Sequence, residues 1–320
     1  MIWLWLGFIV LVCFFLALDL GVFNRESRAI GVREALGWTL VWIILSLLFN
    51  LFIWTLYDNH WFGIGLDADG RVVTDGPKAA KEFFTGYLIE KSLSFDNIFV
   101  IALIFSYFKV PTRYHHRILF WGILGALVLR GVLIGVGILL VTHFSWIFYV
   151  FGILLIYGAI RMLTFDEQNV DPEKGWVLRN ARRFLPIAKG LDGDRFVTRV
   201  DGKFAFTTLA LVLLVIETTD VVFAFDSIPA IFAITQDPFI VLTSNIFAIL
   251  GLRALYFVLA GMMDKFRYLN WALAIILILV GIKMLLHEVI HVDTMVSLVV
   301  VATLPFGGIF CSLWSDRGKG

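Results

Sequence analysis

Cysteine and charge are the scarce materials in this chain. Only 2 of its 320 residues are cysteine. Cys13 and Cys311 each stand alone in an apolar stretch, which excludes a disulfide framework and a C-x-x-C redox motif. Charged residues make up 16% of the chain and leave a formal net charge of +1, so there is no basic field to attract nucleic acid. No segment resembles an ATP-binding motif, and none is of low complexity. Hydrophobic residues fill the space at 60%, with a mean hydropathy of +0.90. That is too little polar surface to clothe a soluble globule of this size. The chain reads as an all-α polytopic membrane protein. Its first apolar run begins at Ile2 and is followed by no small-residue cleavage site, so it is expected to be a retained helix.

At about twenty mainly apolar residues per crossing, nine spans are expected. They run roughly over 2–22, 36–57, 79–108, 115–141, 144–163, 204–235, 238–263, 268–287 and 292–314. Alternate connections collect the positive charge: Arg25, Arg28 and Arg33; Lys109, Arg113 and Arg117; Lys265 and Arg267; Arg317 and Lys319. The connection 164–203 is also rich in Lys and Arg, and it predicts an ordered loop with a hairpin around Arg199–Lys203. The other connections lean acidic. By the positive-inside rule the amino terminus lies outside and the carboxyl terminus in the cytoplasm. The expected organisation is a two-helix segment 1–57, an extracytoplasmic loop 58–78 and a three-helix unit 79–163. The cytoplasmic loop 164–203, a second three-helix unit 204–287, and a last helix and tail 288–320 complete it.

The two three-helix units echo each other. Aligning Asp96 with Asp226 places Glu90 on Asp220, and each motif reads acid, five residues, then Phe-Asp-[Asn/Ser]-Ile. Downstream, Ile123-Leu124-Gly125 recurs as Ile249-Leu250-Gly251, and Ile160-Arg161-Met162-Leu163 as Ile282-Lys283-Met284-Leu285. With three crossings per unit, spans three to five and six to eight form an inverted 3+3 repeat, an arrangement that holds substrate near the midplane. On unbroken helices Glu90 and Asp96 would lie about 120° apart, as would Asp220 and Asp226. Convergence on one site therefore predicts unwinding in the third and sixth spans, helped in the sixth by Pro229.

Charges inside apolar spans each cost roughly 2.5–3.5 kcal/mol on insertion scales. Here they are Glu90, Asp96, Glu217, Asp220 and Asp226 against Lys91, Arg130 and Arg253. Five acids against three bases leave two negative charges, which one divalent cation would neutralise. Protonation of some acids would shrink that excess. Asn97, Ser227, Thr218 and Thr219 can add neutral oxygens. The expected metal set is therefore Glu90, Asp96, Asn97, Glu217, Asp220, Asp226 and Ser227. Lys91, Arg130 and Arg253 are expected to compensate charge, and Lys91 could also exchange with the metal or a proton. An all-oxygen set suits Mn²⁺, Mg²⁺ or Ca²⁺ and disfavours Cu(I) or structural zinc.

Glu90-Lys91-Ser92-Leu93-Ser94-Phe95-Asp96-Asn97-Ile98 and Glu217-Thr218-Thr219-Asp220-Val221-Val222-Phe223-Ala224-Phe225-Asp226-Ser227-Ile228-Pro229 resemble the signatures of the TerC family. The run from Asp237 to Arg253 is most similar to its Alx-like branch. The resemblance covers most of the chain and is weakest in the connections 58–78 and 164–203. It implies a multi-pass inner-membrane protein in a wider superfamily of small-solute exporters, some linked to Mn²⁺ export.

The expected function is thus a secondary transporter, not an enzyme, that exports a divalent cation, Mn²⁺ first, by alternating access. The hypothesised release step is protonation of one or more acids. No permanently bound cofactor is expected, and the partners are the lipid bilayer, the metal ion and protons. Two other readings compete. A non-transporting scaffold would aid metal loading, secretion or a redox or tellurite stress response. An intramembrane metalloprotease is suggested by His287-Glu288-Val289-Ile290-His291, which spells H-E-x-x-H, and by Leu191-Asp192-Gly193. In those proteases, however, the L-D-G follows the H-E-x-x-H and lies in the membrane, whereas here it precedes it in a charged loop.

Overall fold

The computed structural model describes residues 2–23, 31–67, 69–144, 146–164, 186, 193, 195–200, 203–259, 269–286 and 294–317. Their elements are α1 (Ile2–Phe23), α2 (Val32–Asp58), α3 (Gly76–Tyr107), α4 (Thr112–His143), α5 (Ile147–Thr164), strands β1 (Val197–Val200) and β2 (Lys203–Phe206), then α6 (Thr208–Phe232), α7 (Pro238–Ile249), α8 (Leu252–Leu259), α9 (Leu269–Leu285) and α10 (Thr294–Arg317). By length and composition α2, α4, α5 and α6 can each cross a bilayer, and α7 with α8, bent by 41°, adds a fifth if the pair is one span. Shorter apolar helical stretches run over Ile2–Leu18, Trp271–Leu285 and Met295–Pro305. α3 is 32 residues long but carries Lys81, Glu82, Glu90, Lys91 and Asp96. Large apolar side chains such as Val128, Val132 and Leu139 of α4 and Ile153 of α5 face outward, as a lipid-facing surface requires.

Packing follows the sequence repeat. α3 lies against α7, and its counterpart α6 lies against α4; α3 also meets α6, and α5 meets α9. This is the pattern expected if an approximate two-fold exchanges α3 with α6, α4 with α7–α8, and α5 with α9. The α5–α9 crossing is close: a Cβ at Gly152 would come within 2.9 Å of the Gly281 carbonyl, and one at Gly281 within 2.9 Å of the Gly152 carbonyl. Matching Ile160 to Ile282 is a shift of 122, which sends Gly152 to Ala274 and Ala159 to Gly281. Both alanines are fully buried, so small residues hold each related position and allow the backbones to approach.

A second core, rich in aromatic rings, fixes α1 and α2 to the repeat. Phe8 and Phe15 of α1, Trp42 and Phe49 of α2, Phe83 of α3 and Phe247 of α7 form it, with the Phe49 and Phe247 rings stacked 4.4 Å apart.

Two sequence expectations need correction. The sixth helix starts at Thr208, not 204, because Lys203–Phe206 pairs antiparallel with Val197–Val200 and Thr207 anchors the turn by donating its hydroxyl to the Arg195 carbonyl at 2.7 Å. Nor are the third and sixth spans unwound at the acids: α3 is continuous, and α6 runs through Pro229. A proline removes one donor and leaves the rest of the ladder intact where packing supports it.

The break falls in the seventh span. α7 ends at Ile249, Leu250 turns to ψ 129°, and Gly251 takes φ +84°, a region that glycine enters without penalty. Trp42 lies against Gly251 so closely that a Cβ there would come within 2.6 Å of the indole.

Candidate functional site

Arg130 of α4 sits at the centre of the repeat and is 1% exposed. Its guanidinium makes a fork on Asp220 of α6: Nη2 donates to Oδ1 at 2.9 Å and Nε to Oδ2 at 3.1 Å. Nη1 donates to the Glu90 carboxylate of α3 and to Ser227 Oγ at 3.2 Å. From α7, the Asn245 amide donates to Glu90 Oε2 at 3.0 Å. Glu90 and Asp220 are the pair that the sequence repeat superposes. One arginine therefore joins the two halves through equivalent carboxylates, in the planar two-point geometry that guanidinium favours. Breaking such a buried pair by removing one partner costs about 3–5 kcal/mol.

The other expected ligands are spread around this fork. Glu217, one helical turn before Asp220, lays its carboxylate on Gly125 of α4, where any Cβ would overlap it. Its Oε2 is buried without a hydrogen-bond partner. Asp226 faces α5, where a Cβ at Gly158 would come within 2.5 Å of Oδ1. Ser227 is buried and accepts from Arg130, and Asn97 is buried in a cavity wall beside Asp220. The Asp96 side chain lies outside the described residues, although its backbone is part of α3. Thr218 and Thr219, expected as neutral oxygens, donate their hydroxyls to Leu214 and Val215 of their own helix, each at 2.8 Å. Their lone pairs stay available. Among the described residues no three His, Cys, Asp or Glu side chains gather into a metal-binding group.

The other bases sit apart from the fork. Lys91 Nζ donates to the Ala248 carbonyl at 3.2 Å, at the end of α7. Arg253 of α8 is fully buried beside His116, with Nη1 3.5 Å from Nδ1.

Space around the fork is uneven. A cavity of about 50 Å³ lies between α3, α4, α6 and α8, lined by Asn97, Thr219, Asp220, Arg253 and Tyr256 among apolar side chains. It is large enough for a few waters. Its residues sit towards the face that carries the β1–β2 hairpin. At that side the Tyr256 hydroxyl lies 3.0 Å from His115 Nδ1, while His115 Nε2 lies 2.9 Å from the Val110 carbonyl. Also towards the hairpin, a cavity of about 330 Å³ is lined by Phe196, Phe206, Leu214 and Glu217.

At the opposite face a vestibule of about 640 Å³ is lined by Lys78, Glu82, Thr235 and Asp237. Between that vestibule and Glu90, Gly86 packs so tightly that a Cβ would come within 2.9 Å of Ser244 Oγ and 3.1 Å of Ile231. The Glu90 side chain is 1% exposed, against 15% for Asp220.

Sequence reasoning missed Asn245, Gly125 and Gly158. The signal for Asn245 was a lone amide in an apolar helix of the second repeat. The glycine seats had none, because a glycine becomes a carboxylate seat only when the neighbouring helix is placed. The H-E-x-x-H at 287–291 lies outside the described residues.

Residues 75–320 match the family described as Integral membrane protein TerC family. An uncharacterized membrane protein of Myxococcus xanthus is 45% identical over 98% of this chain and 93% of its own length. The protein of Escherichia coli (strain K12) named "Putative membrane-bound redox modulator Alx" is 46% identical over 93% of this chain and 90% of its own length. A membrane protein of Rickettsia bellii is 39% identical over 97% and 96%. No solved structure matches the chain.

Proposed function

We propose that this chain, which belongs to the TerC family of integral membrane proteins, is a secondary transporter and not an enzyme, and that it exports a divalent cation, Mn²⁺ first. The observation that carries the reading is the fork itself: two repeat-related carboxylates share one buried guanidinium, with a mainly apolar cavity that Asn97, Thr219 and Asp220 reach on one side and tight packing at Gly86 on the other. Intramembrane acids at the interface of an inverted repeat are the usual place for a cation to be held and released.

In the empty carrier Arg130 stands in for the cargo. Two ionised carboxylates with one guanidinium carry a net charge of −1, and the same carboxylates with a divalent cation carry 0. A cation arriving from the cytoplasm meets Glu217, then Asp220 and Asn97. It competes with Arg130 for the Asp220 and Glu90 oxygens, so loading requires the guanidinium to withdraw. With the fork released, the two halves are free to rock and open the Glu90 side. Asp226, with Ser227, completes the oxygen supply on the exit path, and Asp96, next to Asn97 in the sequence of α3, belongs to the entry side. Protons taken up by the acids from the outer side displace the ion, and their release to the cytoplasm after the carrier turns back ionises the carboxylates again and lets Arg130 return. In this orientation the hairpin face is cytoplasmic, which agrees with the Lys and Arg of the connection 164–203 and with the positive-inside rule.

The test is Mn²⁺ efflux from preloaded proteoliposomes, with an imposed pH gradient switched on and off, beside an Asp96→Asn/Asp226→Asn variant. Gradient-sensitive efflux that the variant loses supports transport through the repeated motif. Equal leak from both proteins, with Ca²⁺ also substituted, would bring forward a non-transporting role such as the scaffold reading.

A further inference from the structure

We propose that the carboxyl-terminal end of α7 is an alkali-cation site whose built-in occupant is the Lys91 ammonium. The helix stops at Ile249, so the carbonyls of its last turn beyond Ile246, which still accepts from the Leu250 amide, lack the donors a continuing helix would supply. They also carry the negative end of the helix dipole. One of them, Ala248, accepts the Lys91 ammonium at 3.2 Å. Three residues earlier on α7, and so on the same face, Asn245 donates its amide nitrogen to Glu90. Its amide oxygen is buried with no hydrogen-bond partner.

The α7 face that carries Asn245 and Ala248 therefore meets consecutive residues of α3, Glu90 and Lys91. It offers a freed carbonyl and a spare amide oxygen next to a carboxylate. Unwound carbonyls at the carboxyl ends of half-helices are where membrane carriers coordinate a monovalent coupling ion. Here a side chain brings the positive charge. Exchanging an ammonium for Na⁺ keeps the local charge unchanged, which a divalent ion would not do. The consequence is that the wild-type protein needs no sodium, and that shortening Lys91 opens a sodium site. Only this consequence for coupling rests on the transport reading; the site itself does not.

The experiment compares melting temperatures of purified wild type, Lys91→Ala and Lys91→Met in NaCl and in choline chloride at equal ionic strength. Wild type is expected to melt alike in both salts. Lys91→Ala is expected to melt lower than wild type in choline and to gain about 5 °C on saturation with Na⁺. Lys91→Met, whose stem still fills the site, should not respond, and adding Asn245→Ala to Lys91→Ala should abolish the gain. An Na⁺ response in wild type as large as that in Lys91→Ala overturns the proposal. So does a Lys91→Ala protein that ignores Na⁺, or one that cannot be purified even in Na⁺. Wild-type Mn²⁺ efflux in sodium-free vesicles is read separately. A sodium shift without efflux keeps the site and sinks the transport reading, and efflux without the shift does the reverse.

Discussion

Glu90 and Asp220 occupy equivalent places in two copies of one motif, yet their surroundings differ. Glu90 is walled in by Asn245, and between it and the vestibule Gly86 is pressed onto Ser244 and Ile231. Asp220 opens onto a cavity that it shares with Asn97, Thr219, Arg253 and Tyr256. Under the shift of 130 that pairs the motifs, the cavity-lining Thr219 corresponds to Ile89, which is fully buried. Near-symmetric sequences have thus taken unlike depths of solvent, with a single arginine gripping both. An inverted repeat can be in only one of its two inequivalent arrangements at a time. If the chain alternates access as proposed, the difference says which arrangement this is: the Glu90 side is tightly packed and the Asp220 side holds the space.

The comparison breaks most severely at the grip. Arg130→Met leaves two buried carboxylates without their counter-charge and should cost about 3–5 kcal/mol of stability, measured by denaturant unfolding in detergent. Adding Glu90→Gln and Asp220→Asn should recover most of that loss, because a neutral cluster has no charge left to compensate. A loss below about 1 kcal/mol, in the range of an exposed pair, would mean that the fork does not join the halves.

Next in size is Gly125→Ala, since the new methyl group would overlap the Glu217 carboxylate. Overpacking of this kind costs about 1–3 kcal/mol. Shortening the acid in Gly125→Ala/Glu217→Ala should restore the stability, and a double variant no better than the single one would show that the contact is not the cause.

The same glycine shows what was legible in the sequence. The apolar runs announced an all-α membrane chain, with ten helices among the described residues where nine spans were expected. Ile123-Leu124-Gly125 and Ile249-Leu250-Gly251 are identical words, and their recurrence was part of what announced the repeat. It did not announce that the first would continue a straight helix under Glu217 while the second would break one under Trp42. Which partner lands on each glycine is a tertiary fact. For the same reason the break was expected beside Pro229 and the acids, where the local chemistry pointed, and occurs instead in α7–α8. Charge counting found Glu90, Asp220 and Arg130 as residues that must be compensated. The fork needed the helices placed, because it reaches across 90 residues from Arg130 to Asp220.

The access difference can be read directly. In a protein freed of Cys13 and Cys311, Thr219→Cys should react with a water-soluble thiol reagent about tenfold faster than Ile89→Cys, a difference of about 1.4 kcal/mol in accessibility. Equal rates would remove the distinction between the halves, and the reverse order would place the closed side at Asp220.

The smallest effect should come from the seal. Gly86→Ala introduces a methyl group 2.9 Å from Ser244 Oγ and 3.1 Å from Ile231. Those neighbours must give by a few tenths of an ångström, because packed interiors have no slack to absorb it. On the transport reading the strain falls on the arrangement described here and not on the one in which the Glu90 side opens, so Gly86→Ala should shift the population towards the latter by about 1 kcal/mol. Ile89→Cys labelling should then rise about fivefold in the Gly86→Ala background while Thr219→Cys labelling falls. A matched rise at both positions would indicate general loosening, whereas opposite changes would mean that opening one side closes the other.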